Sequence, residues 1–220
     1  MPFGPNWAAR KFLVWSAQAS PLPGAAGKGR MVARDLADGV AGYTAAARGA
    51  HWITAILLAV SIPLGLVMTR IEGDFKFTLY HWHEWIGFTV WWLAVFRVAW
   101  RIGHPPPPHV PPLPAWQRAV AESVHGLLYL ALLAMPVVGW IGNSAFGFPL
   151  EPFGLFRLPD LVAKDEALGR LLLDLHGWAG WAVILLLAMH VGAALQHHFI
   201  VGDATLRRML PRRLGGLPPG

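Results

Sequence analysis

Four long apolar stretches, separated by polar and proline-rich segments, dominate the pattern of this chain. They cover roughly residues 49–69, 80–100, 120–143 and 173–196. Each reaches the roughly 20 residues that an α-helix needs to cross the hydrocarbon core of a bilayer. Pro63 and Pro136 lie inside the first and third stretches and predict local kinks, which neighbouring helices of a membrane bundle can accommodate. The pattern therefore predicts an all-α fold: an integral membrane four-helix bundle.

The segments around these stretches differ in character. Residues 104–114 are rich in proline, which predicts a stiff extended link. Residues 144–174 form a long connection, with a short interfacial helix predicted at 164–173. Residues 1–42 fit no span, and their Pro/Gly/Ala-rich part predicts disorder. Met31 is a second candidate translation start, because the ordered part of the sequence follows it. We therefore predict a membrane domain at 43–213 and a flexible tail at 214–220.

Composition agrees with a membrane protein and excludes several other classes. Hydrophobic residues make up 55% of the chain and charged residues 14%, against roughly 25% charged in a soluble domain. Twelve tryptophans suit membrane interfaces. The absence of cysteine excludes disulfides, thiolate metal sites, Fe–S clusters and covalent c-type haem attachment within this chain. Basic residues flank the apolar spans, so we expect membrane lipid and no nucleic acid as a partner.

Charge asymmetry predicts the orientation of the bundle. Thirteen of the 18 Lys and Arg residues fall on the side that holds both ends of the chain and the second connection. Eight of the 12 Asp and Glu residues fall on the opposite side. Because cytoplasmic loops of membrane proteins carry the excess of Lys and Arg, both termini are predicted to be cytoplasmic.

His176 and His190 lie fourteen residues apart within the fourth apolar stretch. On a helix this spacing places them about 40° apart around the axis and about 21 Å apart along it. Ionisable side chains at membrane depth are costly and usually functional, and haem iron takes axial histidine. The pair predicts two stacked haems, one near each membrane surface. The alternative is two histidines that bond to backbone carbonyls or water between packed helices.

Membrane depth supplies a second histidine for each haem. His51 begins the first span and His190 ends the fourth, so both lie at the cytoplasmic level. His176 shares the outer level with His81 and His83, either of which can complete the second pair. Two bis-histidine b-type haems need four ligands at two depths, and this arrangement supplies them. Such ligation leaves no open iron position and suits electron transfer.

Glycine spacing favours His83 over His81. Gly87 follows His83 by one helical turn, as Gly180 follows the outer histidine of the fourth span. A glycine at this offset lets a flat macrocycle lie against the helix backbone. His81 has Trp85 at that position, which would crowd a ring. His81 stays the alternative ligand and otherwise is an interfacial polar residue.

The remaining histidines have simpler interpretations. His125 begins the third span and is predicted to pack between helices or to bond to a haem propionate. His104 and His109 lie in the proline-rich link and are predicted to be solvated. His197 and His198 follow the fourth span at the cytoplasmic face. They are candidate quinone or proton contacts, with an interfacial cap as the alternative.

Several longer motifs carry a family resemblance. They are RGAHW at 48–52, HxxxG at 83–87, VFRVAWRIGHPPPP at 95–108, LLYLALLAMPVVGWIGNSAFGFP at 127–149, HGWAGWAVILLLAMHVGAALQHHF at 176–199 and DATLRRMLPR at 203–212. With these motifs the chain resembles the bacterial four-helix branch of the cytochrome b561 family, which includes superoxide oxidase, over about residues 43–213. The resemblance implies axial haem ligands from helices one, two and four. Carried over to this sequence, they are His51, His83, His176 and His190.

The resemblance also implies a function. Family members carry electrons between haem b and a membrane quinone, and some oxidise superoxide at the outer face and pass the electron to ubiquinone. We therefore expect a multi-pass protein of the bacterial cytoplasmic (inner) membrane, with two non-covalent haems b and a quinone as cofactor or substrate. A redox protein or superoxide is its expected partner at the outer face. The rival interpretations are a haem b anchor subunit that docks a dehydrogenase, and a transporter or metal-binding protein without haem.

Charged residues near the two predicted haem levels complete the set of candidates. Arg97 and Arg101 on the inner side, and Arg70 or Lys76 on the outer side, are candidate partners of anionic haem propionates. Arg97 could instead extend to lipid headgroups. The outer segments carry eight acidic against five basic residues, which argues against broad electrostatic steering of an anion such as superoxide.

Overall fold

Four long helices form the body of the protein. The structure, a computed structural model, describes residues 39–107 and 113–219. The helices are α1 (Ala45–Met68), α2 (Phe75–Gly103), α3 (Ala115–Phe146) and α4 (Glu166–Gln196). Each corresponds to one apolar stretch, so the all-α prediction is confirmed. The separate interfacial helix predicted at 164–173 is wrong, because α4 begins at Glu166 and continues without a break.

The helices pack in chain order, α1 on α2, α2 on α3 and α3 on α4. A small core joins Ile86, Val90 and Ala94 of α2 to Leu132 of α3. Many large apolar side chains point outward instead, such as Trp178, which is 74% exposed. An apolar exterior of this kind is the surface that lipid covers.

Three helical segments of the described chain are long and apolar enough to cross a membrane: Ala45–Met68, Ala115–Phe146 and Glu166–Val201. α2 has 29 residues, which is also sufficient length at about 1.5 Å per residue. Its five tryptophans and its histidine and charged side chains make it less apolar than the others. Packed between α1 and α3, it completes a helical membrane bundle.

Local signals account for several helix ends. The Thr44 hydroxyl accepts a hydrogen bond from Ala47 N at the start of α1. Asp165 caps α4, because its carboxylate accepts from the first free backbone amides of that helix. α3 ends at Gly147, whose φ of 77° lies in the left-handed region that glycine adopts without strain. Pro63 and Pro136 are accommodated inside continuous helices, as expected in a bundle.

The connection between α3 and α4 is anchored to the helices by tryptophans. Trp85 Nε1 donates to Glu151 O at 2.9 Å, and Trp140 Nε1 donates to Pro159 O at 3.1 Å. A single 3₁₀ turn, Pro152–Gly154, lies between these anchors and packs against α2. The connection therefore lies across the end of the bundle near the α2–α3 contact.

Beyond α4, a π-helical turn (His197–Val201) leads into residues 203–219, which we call the C-terminal clasp. The clasp folds back onto the start of α1. Arg48 Nη1 donates to Leu217 O at 2.7 Å, and Trp52 Nε1 donates to Met209 O at 2.8 Å. Leu217 is fully buried. The clasp thus adds a small folded layer at this end of the bundle.

The clasp also holds the segment that precedes α1. Arg208 Nε donates to Ala41 O at 2.7 Å, and Gly42 N donates to Pro218 O at 2.6 Å. Burial lowers the pKa of Arg208 from its ordinary value, against the opposing effect of the Tyr43 and Asp203 charges. Residues 214–219 are thus in contact with the bundle, and the flexibility predicted for 214–220 stays a prediction. The predicted disorder of the N-terminal region and the alternative start at Met31 lie almost wholly outside the described residues.

Candidate functional site

Two histidines face each other across one end of the bundle. His83 of α2 and His176 of α4 have ring centroids 6.0 Å apart, with ring planes at 78°. His81, the alternative ligand, does not face this pair. Its side chain is 56% exposed, and its Nδ1 lies 3.6 Å from the Glu84 carboxylate. The Glu84 carboxylate also accepts a hydrogen bond from Asn143 Nδ2 at 2.7 Å.

Each ring of this outer pair is oriented by a backbone carbonyl of a neighbouring helix. His83 Nδ1 lies 3.0 Å from Ser61 O and 3.2 Å from Ser61 Oγ, and His176 Nδ1 lies 3.1 Å from Met135 O. A neutral imidazole that donates from Nδ1 to a carbonyl has its lone pair on Nε2. Nitrogen lone pairs held this way are the usual ligands of protein-bound metals.

A glycine of the neighbouring helix faces each ring, and the contact is tight enough to require glycine only at His83. Gly65 follows Ser61 by four residues, and a Cβ built on it would lie 2.9 Å from His83 Cε1. Gly139 follows Met135 by four residues, and its Cβ would lie 3.5 Å from the His176 ring. Neither glycine was predicted from the sequence to belong to the site. The signal was present as a repeated pattern, SIPLG at 61–65 and MPVVG at 135–139, in which a glycine follows a proline in mid-helix.

A second pair lies at the other end of the bundle. His51 of α1 and His190 of α4 have ring centroids 6.0 Å apart, with ring planes at 60°. Arg97 of α2 reaches this pair, because its Nη2 donates to His51 Nδ1 at 3.3 Å. Its guanidinium also lies over the Tyr129 ring of α3, 5.2 Å from the centroid. All four helices thus contribute to this inner site.

His125 of α3 also belongs to the inner site. Its ring meets the His190 ring edge-on at a centroid distance of 5.1 Å, and its Nδ1 lies 2.7 Å from Ala121 O. It was predicted to pack between helices or to bond to a haem propionate. Its side chain is exposed and contacts α4 through the His190 ring, and both interpretations stay predictions. Arg101, one turn after Arg97, is exposed and does not reach into the pair as Arg97 does.

The remaining candidates lie away from the two pairs. His197 Nδ1 lies 2.5 Å from Asp203 Oδ2, a contact that the sequence did not reveal. His198 packs edge-on against Phe199 at 4.8 Å. His104 is exposed and stacks on Trp100, whereas His109 lies outside the described residues.

The geometry of both pairs fits a bis-histidine haem. Metal–imidazole bonds are about 2 Å long, so two imidazoles on opposite sides of one metal ion, with the ring radii added, have centroids roughly 6 Å apart. The observed separation is 6.0 Å in both pairs. The described residues contain no group of three or more His, Cys, Asp or Glu side chains that could hold a metal ion by themselves. A haem needs only two, because its porphyrin supplies the other donors.

Fold and site together define a helical membrane protein with two pairs of facing histidines. Comparison with known families is consistent with this class: residues 42–212 match the model described as prokaryotic cytochrome b561. The chain belongs to the prokaryotic cytochrome b561 family. Membership implies haem b, electron transport and oxidoreductase chemistry in a bacterial membrane.

The similarity to individual relatives agrees with this family assignment. The chain is 37% identical to "Cytochrome b561 homolog 2" of Escherichia coli (strain K12) over 73% of its own length and 86% of the relative's. It is 36% identical to "Cytochrome b561 homolog 1" of the same organism, over 74% of its own length and 93% of the relative's. It is 27% identical to "Probable superoxide oxidase CybB" of Yersinia pestis, over 79% of its own length and 98% of the relative's.

Proposed function

We propose that this protein holds two haems b and carries electrons between the membrane quinone pool and a donor or acceptor at the outer face. His83 and His176 would hold the outer haem, and His51 and His190 the inner one. The observation that carries this proposal is the repeated 6.0 Å separation of facing imidazoles at two levels of one bundle. The α4 members of the two pairs lie about 21 Å apart along the helix, most of the thickness of a bilayer core.

Bound haem supplies a one-electron iron couple at each level. The protein's own residues fix its ligands and its electrostatic surroundings. Ser61 and Met135 carbonyls hold the outer imidazoles with Nε2 directed away from the carbonyl contact. With histidine as both axial ligands, such a site would transfer electrons and would not bind dioxygen.

Cationic side chains at the inner site suit the anionic propionates of haem. Arg97 extends into the space beside His51, and Arg101 lies one turn further along α2, at the exposed end of the same helix face. A propionate is a stronger acceptor for a guanidinium than a neutral imidazole is. In the loaded protein Arg97 would therefore exchange its bond to His51 Nδ1 for a bond to propionate.

Superoxide oxidation coupled to ubiquinone reduction is a special case of this function. The name of the Yersinia pestis relative favours it. Two superoxide ions would release two electrons at the outer site and leave as dioxygen, and these electrons with two protons would reduce one quinone to quinol. The acidic excess of the outer segments opposes long-range steering, so superoxide capture would depend on local cations such as Arg70, Lys76 and Arg157.

The orientation and the compartment belong to the same proposal. The Lys and Arg distribution supports cytoplasmic termini, and a quinone-linked chain of this topology belongs in the bacterial cytoplasmic (inner) membrane. The inner histidine pair would then lie near the cytoplasmic face, together with the C-terminal clasp.

The decisive experiment is a reduced-minus-oxidised spectrum with haem quantified per polypeptide, on protein expressed with ample haem supply. We expect two haems b per chain. Fewer than about one and a half would overturn the di-haem proposal, and a colourless protein would favour a transporter. Stopped-flow mixing with quinol and with superoxide then tests the partners. A stoichiometric dehydrogenase that co-purifies, with no quinone activity of the isolated chain, would favour the anchor-subunit alternative.

A further inference from the structure

A groove of about 380 Å³ lies between α1 and α2 on the outside of the bundle. Its wall consists of apolar side chains from both helices and from the turn that joins them: Val60, Leu64, Val67, Ile71, Phe75 and Leu79. Pro63, inside α1, lines it as well. Val60, Val67 and Phe75 are 47%, 44% and 61% exposed. The groove therefore opens toward the space that lipid occupies around a membrane bundle.

The groove has the length of much of one lipid leaflet. Val60, Leu64 and Val67 lie on one face of α1, at intervals of three or four residues. From Val60 to Val67 the helix rises about 10.5 Å, whereas one leaflet contributes roughly 15 Å to the hydrocarbon core. The wall is fixed, because Leu64 also packs against the core between α2 and α3. An acyl chain in the groove would contact two helices at once and gain dispersion energy that a flat surface does not supply.

Charged side chains of both signs lie at the end of the groove where α1 passes into α2. They occupy alternate positions of the turn: Arg70, Glu72, Asp74 and Lys76. The first three are exposed, and the Asp74 carboxylate makes no capping bond to α2. Arg70 donates from Nη1 to Leu66 O and keeps its other N–H groups. Within the part of the chain that the structure describes, no ion pair engages any of the four.

We propose that this groove binds one acyl chain of a phospholipid whose headgroup carries a phosphate and a free ammonium. The phosphate would accept from Arg70 and Lys76, and the ammonium would donate to Glu72 and Asp74. Of the three outer cations named above for superoxide capture, Arg157 would then stay free of phosphate. The inference goes beyond the proposed function and requires neither haem nor quinone.

The charges of the turn favour this headgroup over two others of similar size. An anionic headgroup without an amine would bring its negative charge beside two carboxylates and offer no cation to balance them. A trimethylammonium headgroup has both charges, but its nitrogen has no N–H to donate. A primary ammonium has three N–H donors, which suits the two carboxylates of Glu72 and Asp74.

The bound lipid would lie behind the outer histidine pair. Leu64 of the groove wall directly precedes Gly65, the glycine that faces the His83 ring. The acyl chain would therefore pack on the opposite side of the α1 segment that orients His83. It would form a structural part of this end of the bundle.

Native mass spectrometry of the intact, haem-loaded protein tests the proposal, because it weighs the lipid that each chain retains. Dioleoyl phosphatidylethanolamine, phosphatidylcholine and phosphatidylglycerol are the probes. We expect one bound phosphatidylethanolamine per chain, retained roughly two- to fivefold more tightly than the other two, as exposed charge pairs allow. Equal retention of the three lipids, or a retained quinone in their place, would overturn the proposal.

Val67→Trp tests the groove itself. Its indole would occupy the space of the acyl chain, and overpacking of this kind should lower retention by about fivefold or more. Val120→Trp is the matched control, because Val120 is 47% exposed on α3, away from the groove, and it should bind as wild type. Equal retention in the two variants would refute the assignment of the groove.

The double variant Glu72→Gln/Asp74→Asn tests the headgroup without touching the groove. Both side chains are exposed, so the fold should be unaffected, as unchanged haem content and helical circular dichroism would show. The preference for phosphatidylethanolamine over phosphatidylcholine should disappear, while binding of the acyl chain remains. A preference that survives this change would overturn the headgroup assignment.

Discussion

The imidazole of His83 lies directly over Gly65 of the neighbouring helix. A Cβ at Gly65 would come within 2.9 Å of His83 Cε1, closer than real Cβ contacts allow. The glycine lets the ring reach the Ser61 carbonyl, which fixes its orientation. A helix–helix contact thus determines how a candidate ligand is presented, and residues outside the ligand set become part of the site.

This contact makes Gly65→Ala the most specific probe of the outer site. Overpacking a tight contact costs about 1–3 kcal/mol, so the added methyl group should displace His83 and weaken outer haem binding by roughly 5- to 150-fold. Haem per chain should fall toward one, while the inner haem keeps its spectrum. Gly177→Ala is the matched control, because that glycine is exposed on α4 with open space around it. Equal haem content in the two variants would contradict the prediction.

Replacement of the two α2 histidines distinguishes ligand from neighbour. His83→Ala should remove the outer haem, because its imidazole is the one that faces His176. His81→Ala should retain both haems, because that side chain points outward toward Glu84. Haem quantified per polypeptide gives the answer. Retention of both haems without His83, together with loss of one without His81, would reverse the assignment.

Arg97 should raise the midpoint potential of the inner haem. A positive charge beside a haem favours the reduced, less positive iron, so Arg97→Gln should lower the midpoint potential of the inner haem. The expected shift is on the order of tens of millivolts, given the strength of charge interactions at partly buried sites. Redox titration of the two haem bands measures it. Arg101→Gln should shift the potential less, because Arg101 is exposed and solvent screens its charge.

Arg48 should hold the C-terminal clasp in place. Its buried guanidinium donates to Leu217 O at 2.7 Å and to Leu210 O at 3.3 Å. Hydrogen bonds to charged groups contribute about 1.5–3 kcal/mol, so Arg48→Met should open the clasp and speed amide exchange there by roughly 10- to 150-fold. Hydrogen exchange of residues 206–217, read by mass spectrometry, tests this.

A control for the clasp experiment is available at the other end of the molecule. Arg170→Met removes an exposed pair with Glu166, in which the Arg170 side chain is 71% exposed. Such surface pairs contribute little, so exchange in the clasp should be unchanged. An Arg48→Met protein with wild-type exchange in the clasp would show that other contacts, such as that of Trp52 with Met209 O, suffice to hold it.

Much of this protein was predictable from sequence because the relevant signals are local. Apolar length gives the four helices and their order, and the helical repeat gives the spacing of His176 and His190 along α4. Depth in the membrane then grouped the histidines into two levels without knowledge of any contact. Even the preference for His83 over His81 came from a local pattern, the glycine one turn later.

Only the tertiary structure decided which faces of different helices meet. The contact of Arg97 with His51, the glycines beneath the outer histidines, and the return of Asp203 to His197 all depend on helix rotation and on chain reversals, which the periodicity of a single segment does not determine. The clasp over Arg48 is the clearest case, because residues 162 and 169 positions apart in the chain form its hydrogen bonds. The sequence by itself determined the helices and predicted the levels of the paired histidines, because both follow from local hydrophobicity. The pairing of side chains was decided by packing between distant segments.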